Sequence, residues 1–307
     1  MRKLLLVLII LLLLSVNISS TEISHNCSCY QSRKISLQYP PLKGDDIWEL
    51  QRELKILNYY KGKINSLYDW NTYIAVKRFQ YANGLKGDGM VTDKLWSDLG
   101  KAIYGENIIT ANKNDSPPEG VSILVDTYKM KLIVYSDGSK YAEFPIAIGK
   151  PSSKSPIGEF KIIQKVDMWN KSVFGYKWMK LSTPWGNYGV HGTNKPGSIG
   201  YASSNGCIRM FNKDVEKLYS WVKIGTKVKI IGYRKPVKIT HAFRSGNKGK
   251  DVLLFQEKLR EHGFDPGCTD GIFSTDTKKA LKEFKYIYGL KDDVIADENI
   301  FYILNIR

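Results

Sequence analysis

The sequence predicts a multidomain α+β protein, with a central β-sandwich domain flanked by two small three-helix modules. Three observations carry this reading. Segments beginning at Gly44 and at Gly249 match at one constant offset of 205 (249 − 44), which marks two copies of one unit. Within each copy, apolar residues recur at helical spacing. Between the copies, the pattern changes to short runs of β-branched and aromatic residues separated by turn residues. At 307 residues the chain is also long for a single core.

The chain opens with "MRKLLLVLIILLLLSVNISS", in which Arg2 and Lys3 precede an apolar run from Leu4 to Leu14. A basic start and a short apolar stretch read as a signal peptide or signal anchor over residues 1–20. The run is shorter than the roughly 18 residues of a membrane span, and a membrane anchor at the N-terminus stays open. An exported protein is expected, in the cell wall or on the outer face of the cytoplasmic membrane. The formal net charge of +16 favours a polyanionic partner. Export makes that partner an anionic envelope polymer and excludes nucleic acid. Residues 21–43 read as a stem holding Cys27 and Cys29. With Cys207 and Cys268 the count is even, yet four cysteines in a chain this long are no disulfide framework.

The first repeat covers residues 44–101. Ile47, Leu50, Leu54 and Leu57 fall on one helical face. A second helix is expected from Asn71 or Thr72, burying Ala75, Val76 and Phe79, and a third from Thr92 or Asp93, burying Leu95, Trp96 and Leu99. The offset pairs Gln51 with Gln256, Thr72 with Thr277 and Phe79 with Phe284 in the second repeat, 249–307. The loops carry Tyr59, Tyr60 and Tyr68 in one copy, and Phe264 and Phe273 in the other. These aromatics are candidates either for the core or for a sugar-binding platform. Both copies resemble the three-helix type of peptidoglycan-binding domain, whose pattern runs D-V-x-x-L-Q-x-x-L, G-Y-x-x-G-x-x-D-G, then T-x-x-A-V-x-x-F-Q-x-x-x-G-L. The first copy departs at Asn65-Ser66, where the second has Asp270-Gly271. The second departs at Lys285, where the first has Gln80.

Residues 102–119 read as a linker ending in Pro117-Pro118, and 234–248 as a second linker. Between them, residues 120–233 form the β domain. Asp137-Gly138 marks a hairpin. Strands are expected in "GEFKIIQKV", "GYKWMKLS", "NYGVHG", "GCIRM" and "TKVKIIG". One helix is expected from Lys213 to Val222, with Asn212 as its cap.

His191 ends one of those strands and Cys207 opens another. His25 lies in the stem, His241 in a linker, His262 and Cys268 in the second module, so only His191 and Cys207 share the β domain. A cysteine nucleophile needs a base to make its thiolate, since a free thiol titrates near about 8.5. Gly206 would let substrate approach the sulfur, and its N–H can face an oxyanion. The Gly192 carbonyl is free to orient the imidazole. The residues alone leave a second reading open, a buried cysteine beside a satisfied core histidine.

"HGTNKPGSIGYASSNGCIRM" resembles the signature of the YkuD-type L,D-transpeptidases, H-G followed by S-x-G-C-[IV]-R, and "SPIGEFKI" resembles their T-P-x-G-x-F element. The resemblance implies a Cys207 nucleophile, a His191 base oriented by Gly192, and oxyanion or substrate contacts from Ser204, Asn205, Gly206 and Arg209. Arg209 would hold substrate or shape the site. Many members have His where this chain has Asn205. The implied reaction is 3→3 cross-linking of peptidoglycan stem peptides, without metal or cofactor, in an enzyme open to acylation by carbapenems. The alternatives are an L,D-carboxypeptidase that uses water as acceptor, and a non-catalytic wall-binding protein.

Overall fold

A computed structural model describes residues 34–105, 119–168 and 175–306. The expected signal segment and the pair Cys27 and Cys29 lie outside the described residues. No described helix is long and apolar enough to cross a membrane.

The first module is three helices, α1 Asp45–Ile56, α2 Trp70–Ala82 and α3 Asp93–Tyr104. Helix α2 starts one residue before the expected position, because Asp69 takes the cap and accepts from the Thr72 N–H. Thr92 caps α3 by accepting from the Leu95 N–H. Ile47, Leu50, Leu54, Ala75, Val76, Phe79, Leu95, Trp96 and Leu99 form the core. The second module repeats the design with α5 Lys250–Glu261, α6 Thr275–Ile287 and α7 Glu298–Ile303.

The paired glutamines explain the strongest match of the repeat. Gln51 is buried, and its amide N–H group donates to Leu67 O at 2.9 Å and Thr72 Oγ1 at 2.8 Å. Its carbonyl accepts from the N–H groups of Asn65 and Ser66. Gln256 makes the same ties to Ile272 O, Thr277 Oγ1 and the Gly271 N–H. One side chain thus satisfies a loop's buried backbone groups. The departures between copies keep these ties. Asn65 and Asp270 each accept from the backbone N–H two residues on. Ser66 adopts the left-handed backbone that Gly271 holds in the other copy. Gln80 and Lys285 both reach the next loop's aspartate, Asp88 or Asp293.

The module edges reach further than the repeat suggests. Ile35, from the expected stem, is buried in the first module's core and bridges Val91. Ile239 and Phe243, from the expected linker, are buried in the second module's core.

The central domain holds ten strands among the described residues: β1 Ser122–Asp126, β2 Lys131–Ser136, β3 Ser139–Pro145, β4 Ile148–Gly149, β5 Gly158–Val166, β6 Trp178–Leu181, β7 Gly189–His191, β8 Ala202–Ser204, β9 Ile208–Arg209 and β10 Lys227–Ile231. Eight make one sheet in the order β3-β2-β1-β10-β5-β6-β7-β9, and β4 with β8 makes a second, two-stranded sheet. The two layers are therefore unequal. Most pairs are antiparallel, but β1–β10, β7–β9 and β4–β8 are parallel. Asp137 and Gly138 both take positive φ in the β2–β3 hairpin, as a tight primed turn requires. Alternating residues such as Leu132 and Val134, or Phe160 and Ile162, face the core with Val215 and Leu218 of α4, Asn212–Trp221. Asn212 is the first residue of α4, not its cap; Phe211 stands in the cap position.

Replacing Gln256 by Ala strands the Gly271 N–H and the Ile272 carbonyl. It is expected to cost about 2 kcal/mol, read by urea denaturation of the full chain.

Candidate active site

Strands β7 and β9 lie side by side, with Val190 opposite Ile208 and His191 opposite Arg209. Cys207 immediately precedes β9. His191 is 2% exposed and Cys207 1%. Both side chains border Trp178: its ring lies 5.5 Å from the imidazole, and it packs in one cluster with Cys207. His191 Nδ1 lies 2.6 Å from the Gly192 carbonyl. A carbonyl only accepts, so Nδ1 carries the hydrogen and Nε2 is the basic nitrogen.

That contact requires glycine at 192. A Cβ there would fall 2.2 Å from Asn212 Oδ1 and 2.8 Å from the Tyr176 carbonyl. Asn212 braces the strand's exit instead of capping a helix, since its Oδ1 accepts from the Thr193 N–H at 2.9 Å and the Tyr176 N–H at 3.3 Å. Sequence reasoning missed this role because a residue at a helix start reads first as a cap.

The turn before Cys207 is tied down by Ser204. Its Oγ donates to the Cys207 carbonyl at 2.6 Å and accepts from the Gly206 N–H at 3.0 Å. The Gly206 N–H is thus engaged by Ser204. The residue is glycine for two reasons. Its φ is +117°, and a Cβ would sit 2.5 Å from the Tyr188 ring. Asn205 uses its backbone, its carbonyl accepting from Ser153 Oγ at 2.8 Å.

Arg209 is also placed differently from the substrate-holding option. Its guanidinium is buried and donates to Glu49 Oε1 of α1 at 2.9 Å. Lys195 Nζ, from the loop joining His191 to Cys207, lies 3.1 Å from Glu49 Oε2 and 4.2 Å from the Trp96 ring centre. The first module therefore sits directly on the catalytic loop. Arg52 donates to the Gly197 carbonyl at 3.1 Å and stacks 3.7 Å from the Tyr201 ring centre. Glu49 is buried, which disfavours its charge, but Lys195, Arg209 and Arg52 together outweigh burial and hold it below the usual carboxylate range. Glu53 meets the opposite outcome. Burial first, then the neighbouring Glu49 charge, push it up to about 8.

The loop aromatics lie in or against the module cores. Tyr60, Tyr68, Phe264 and Phe273 are buried in the module cores, and Tyr59 packs edge-on against Phe79 with ring centres 5.3 Å apart. The module's exposed aromatics lie on α2 instead, where Trp70 and Tyr81 project to solvent.

Comparison with known proteins identifies the domains by sequence. The L,D-transpeptidase catalytic domain (YkuD) matches residues 120–230, and the peptidoglycan-binding domain matches 43–99 and 248–304. An L,D-transpeptidase YkuD of Bacillus licheniformis is 38% identical over 131 residues, covering 43% of this chain and 78% of the relative. Its Bacillus subtilis counterpart is 51% identical over 87 residues, 28% of this chain and 51% of the relative. A solved L,D-transpeptidase of Xylanimonas cellulosilytica is 25% identical and covers 64% of this chain and 98% of its own, with a TM-score of 0.31. The chain belongs to the L,D-transpeptidase (YkuD) family and carries a peptidoglycan-binding domain on each flank.

Two outcomes follow. Gly206→Ala forces a side chain into the Tyr188 ring and strains the backbone. It is expected to lower the rate of Cys207 alkylation at least about tenfold while the protein stays folded. The second concerns pH. Glu53 titrates near 8 when folded, against an ordinary 4.5. Between those values the unfolded chain releases a proton that the folded chain keeps, so stability falls as pH rises through that window. Glu49, Arg52, Lys195 and Arg209 are the charged groups around it. Glu53→Gln removes the titration, and its gain in melting temperature over wild type is expected to be larger at pH 8 than at pH 5.

Proposed function

We propose that the protein is an exported L,D-transpeptidase that forms 3→3 peptidoglycan cross-links through a Cys207 thioester. The observation that carries this is His191 on the strand beside Cys207, with Nδ1 bound to the Gly192 carbonyl. Nε2 is then the nitrogen able to take the thiol proton. The Cys207 sulfur attacks the peptide carbonyl after the third residue of a tetrapeptide stem. The C–N bond breaks, D-alanine leaves as the amine, and His191 returns the proton to it. The side-chain amine of another stem's third residue then attacks the thioester. His191 accepts the amine's proton, the C–S bond breaks, and the new amide joins the two stems.

Binding is supported by a cavity of about 530 Å³ at the edge of the catalytic turn. Ser153 and Tyr188 line it and also touch Asn205 and Gly206. Lys154, Arg234, Lys238 and Lys250 line the same cavity, which suits the carboxylates of stem peptides. The flanking modules hold the enzyme on the glycan and raise the local substrate concentration. The same thiol is expected to be acylated by a carbapenem.

The test is mass spectrometry of residues 34–307 incubated with disaccharide-tetrapeptide. Wild type is expected to yield a dimer equal to two substrates less one D-alanine, and Cys207→Ala none. Tripeptide alone would mean that water is the acceptor. Unchanged substrate with folded wild type would contradict the enzymatic reading.

A further inference from the structure

The first module touches the catalytic domain mainly along the loop that joins His191 to Cys207, with further contacts from Asp45 to Lys150 and from Tyr104 to Phe211. Glu49 holds Lys195, near the loop's start, and Arg209, two residues past Cys207. Between these points Arg52 holds the Gly197 carbonyl, and Tyr104 of α3 donates to the Ile199 carbonyl. Asn194 donates to Asp93 Oδ1 at 3.0 Å. The surfaces meet without slack. A Cβ on Gly100 of α3 would lie 2.1 Å from the Pro196 ring, and one on Gly197 would lie 2.3 Å from Glu53 Oε2.

The residues of this contact are where the two repeats differ. At the offset of 205, Glu49, Arg52 and Glu53 correspond to Leu254, Glu257 and Lys258. The second copy therefore lacks this charge pattern and docks by other means: Leu253 of α5 enters the β-domain core. A wall-binding unit needs no buried carboxylate on its outer face, because burying a charge is costly unless it is paired. Glu49 is 2% exposed, and its partners lie on the catalytic loop (Lys195), on β9 just past it (Arg209) and on α1 itself (Arg52). Its place is explained by the loop.

We propose that Glu49 is a positioning residue of the active site, fixing both ends of the loop that carries Cys207, so that the first module completes the catalytic centre as well as anchoring it. The idea rests on the transpeptidase reading for its reaction, but its geometry stands apart from that reading. Arg209 is in register with His191, so Glu49 sets the position of β9 against β7 through Arg209. A shift of about 1 Å between nucleophile and base can cost about a hundredfold in rate.

The experiment compares full-length wild type, Glu49→Gln and Glu49→Asp. Four quantities are read: melting temperature, sedimentation with purified cell walls, kcat and KM on soluble disaccharide-tetrapeptide, and the pH profile of Cys207 alkylation by iodoacetamide. Glu49→Gln is expected to bind walls as wild type does and to keep KM within about twofold, while kcat falls at least about tenfold. Glu49→Asp keeps the charge and is expected to recover part of kcat. If Glu49→Gln does not fold, Glu49→Asp carries the test, with a lowered kcat at unchanged wall binding as the expected result. Unchanged kcat and an unchanged alkylation profile in a folded variant would overturn the proposal. Should wild type fail to process the peptide, the transpeptidase reading fails, and the alkylation profile still decides whether Glu49 positions Cys207.

Discussion

A single buried carboxylate, Glu49, sets the terms on which this molecule is assembled. It faces Arg209 of β9 at 2.9 Å and Lys195 of the loop before it at 3.1 Å, away from solvent. Removing one member of such a group leaves the others charged and unpaired in a medium that cannot solvate them, at a cost of about 3–5 kcal/mol. The docking of the first module and the shape of the loop are therefore linked. Neither can change without exposing or stranding Arg209 and Lys195.

The two modules show how one fold meets one neighbour in two ways. Their cores and loop ties agree almost residue for residue, because Gln51 and Gln256 do the same work on the same backbone groups. Their outer faces do not agree. The first module presents charge to a polar loop. The second presents Leu253 to an apolar core, with Glu159 and Arg260 paired at the rim, where a partly exposed pair adds little. Apolar docking tolerates small adjustments, whereas a buried ion cluster has one good geometry. The clamp with directional bonds is the one placed on the loop that leads into Cys207.

Much of this was legible in the sequence because its signals are local. Helix periodicity, the constant offset and the Asp137-Gly138 turn each lie within a short window. The closeness of His191 and Cys207 was legible through the resemblance of "HGTNKPGSIGYASSNGCIRM" to the YkuD signature, since the residues alone left the reading of a buried cysteine beside a core histidine open. The roles of Arg209 and Gly206 were not legible. The partner of Arg209 is 160 positions away, and the Gly206 N–H is taken by a serine whose rotamer no pattern specifies. The loop aromatics read as core or as platform, with core the commoner fate, and packing places them in or against the module cores. One signal was available and unused. Glu49, Arg52 and Glu53 break the repeat with charge on an otherwise matched helix, and breaks of that kind mark the surface where one copy does something the other does not.

The most direct test of this account is a double-mutant cycle on the full chain. Glu49→Gln, Arg209→Gln and the double variant would be compared with wild type by chemical denaturation. A coupling of about 1–3 kcal/mol between the two sites is predicted, as for residues in one ion network. Additive effects, with no coupling, would contradict the claim that the first module and the catalytic strand are held together by this pair.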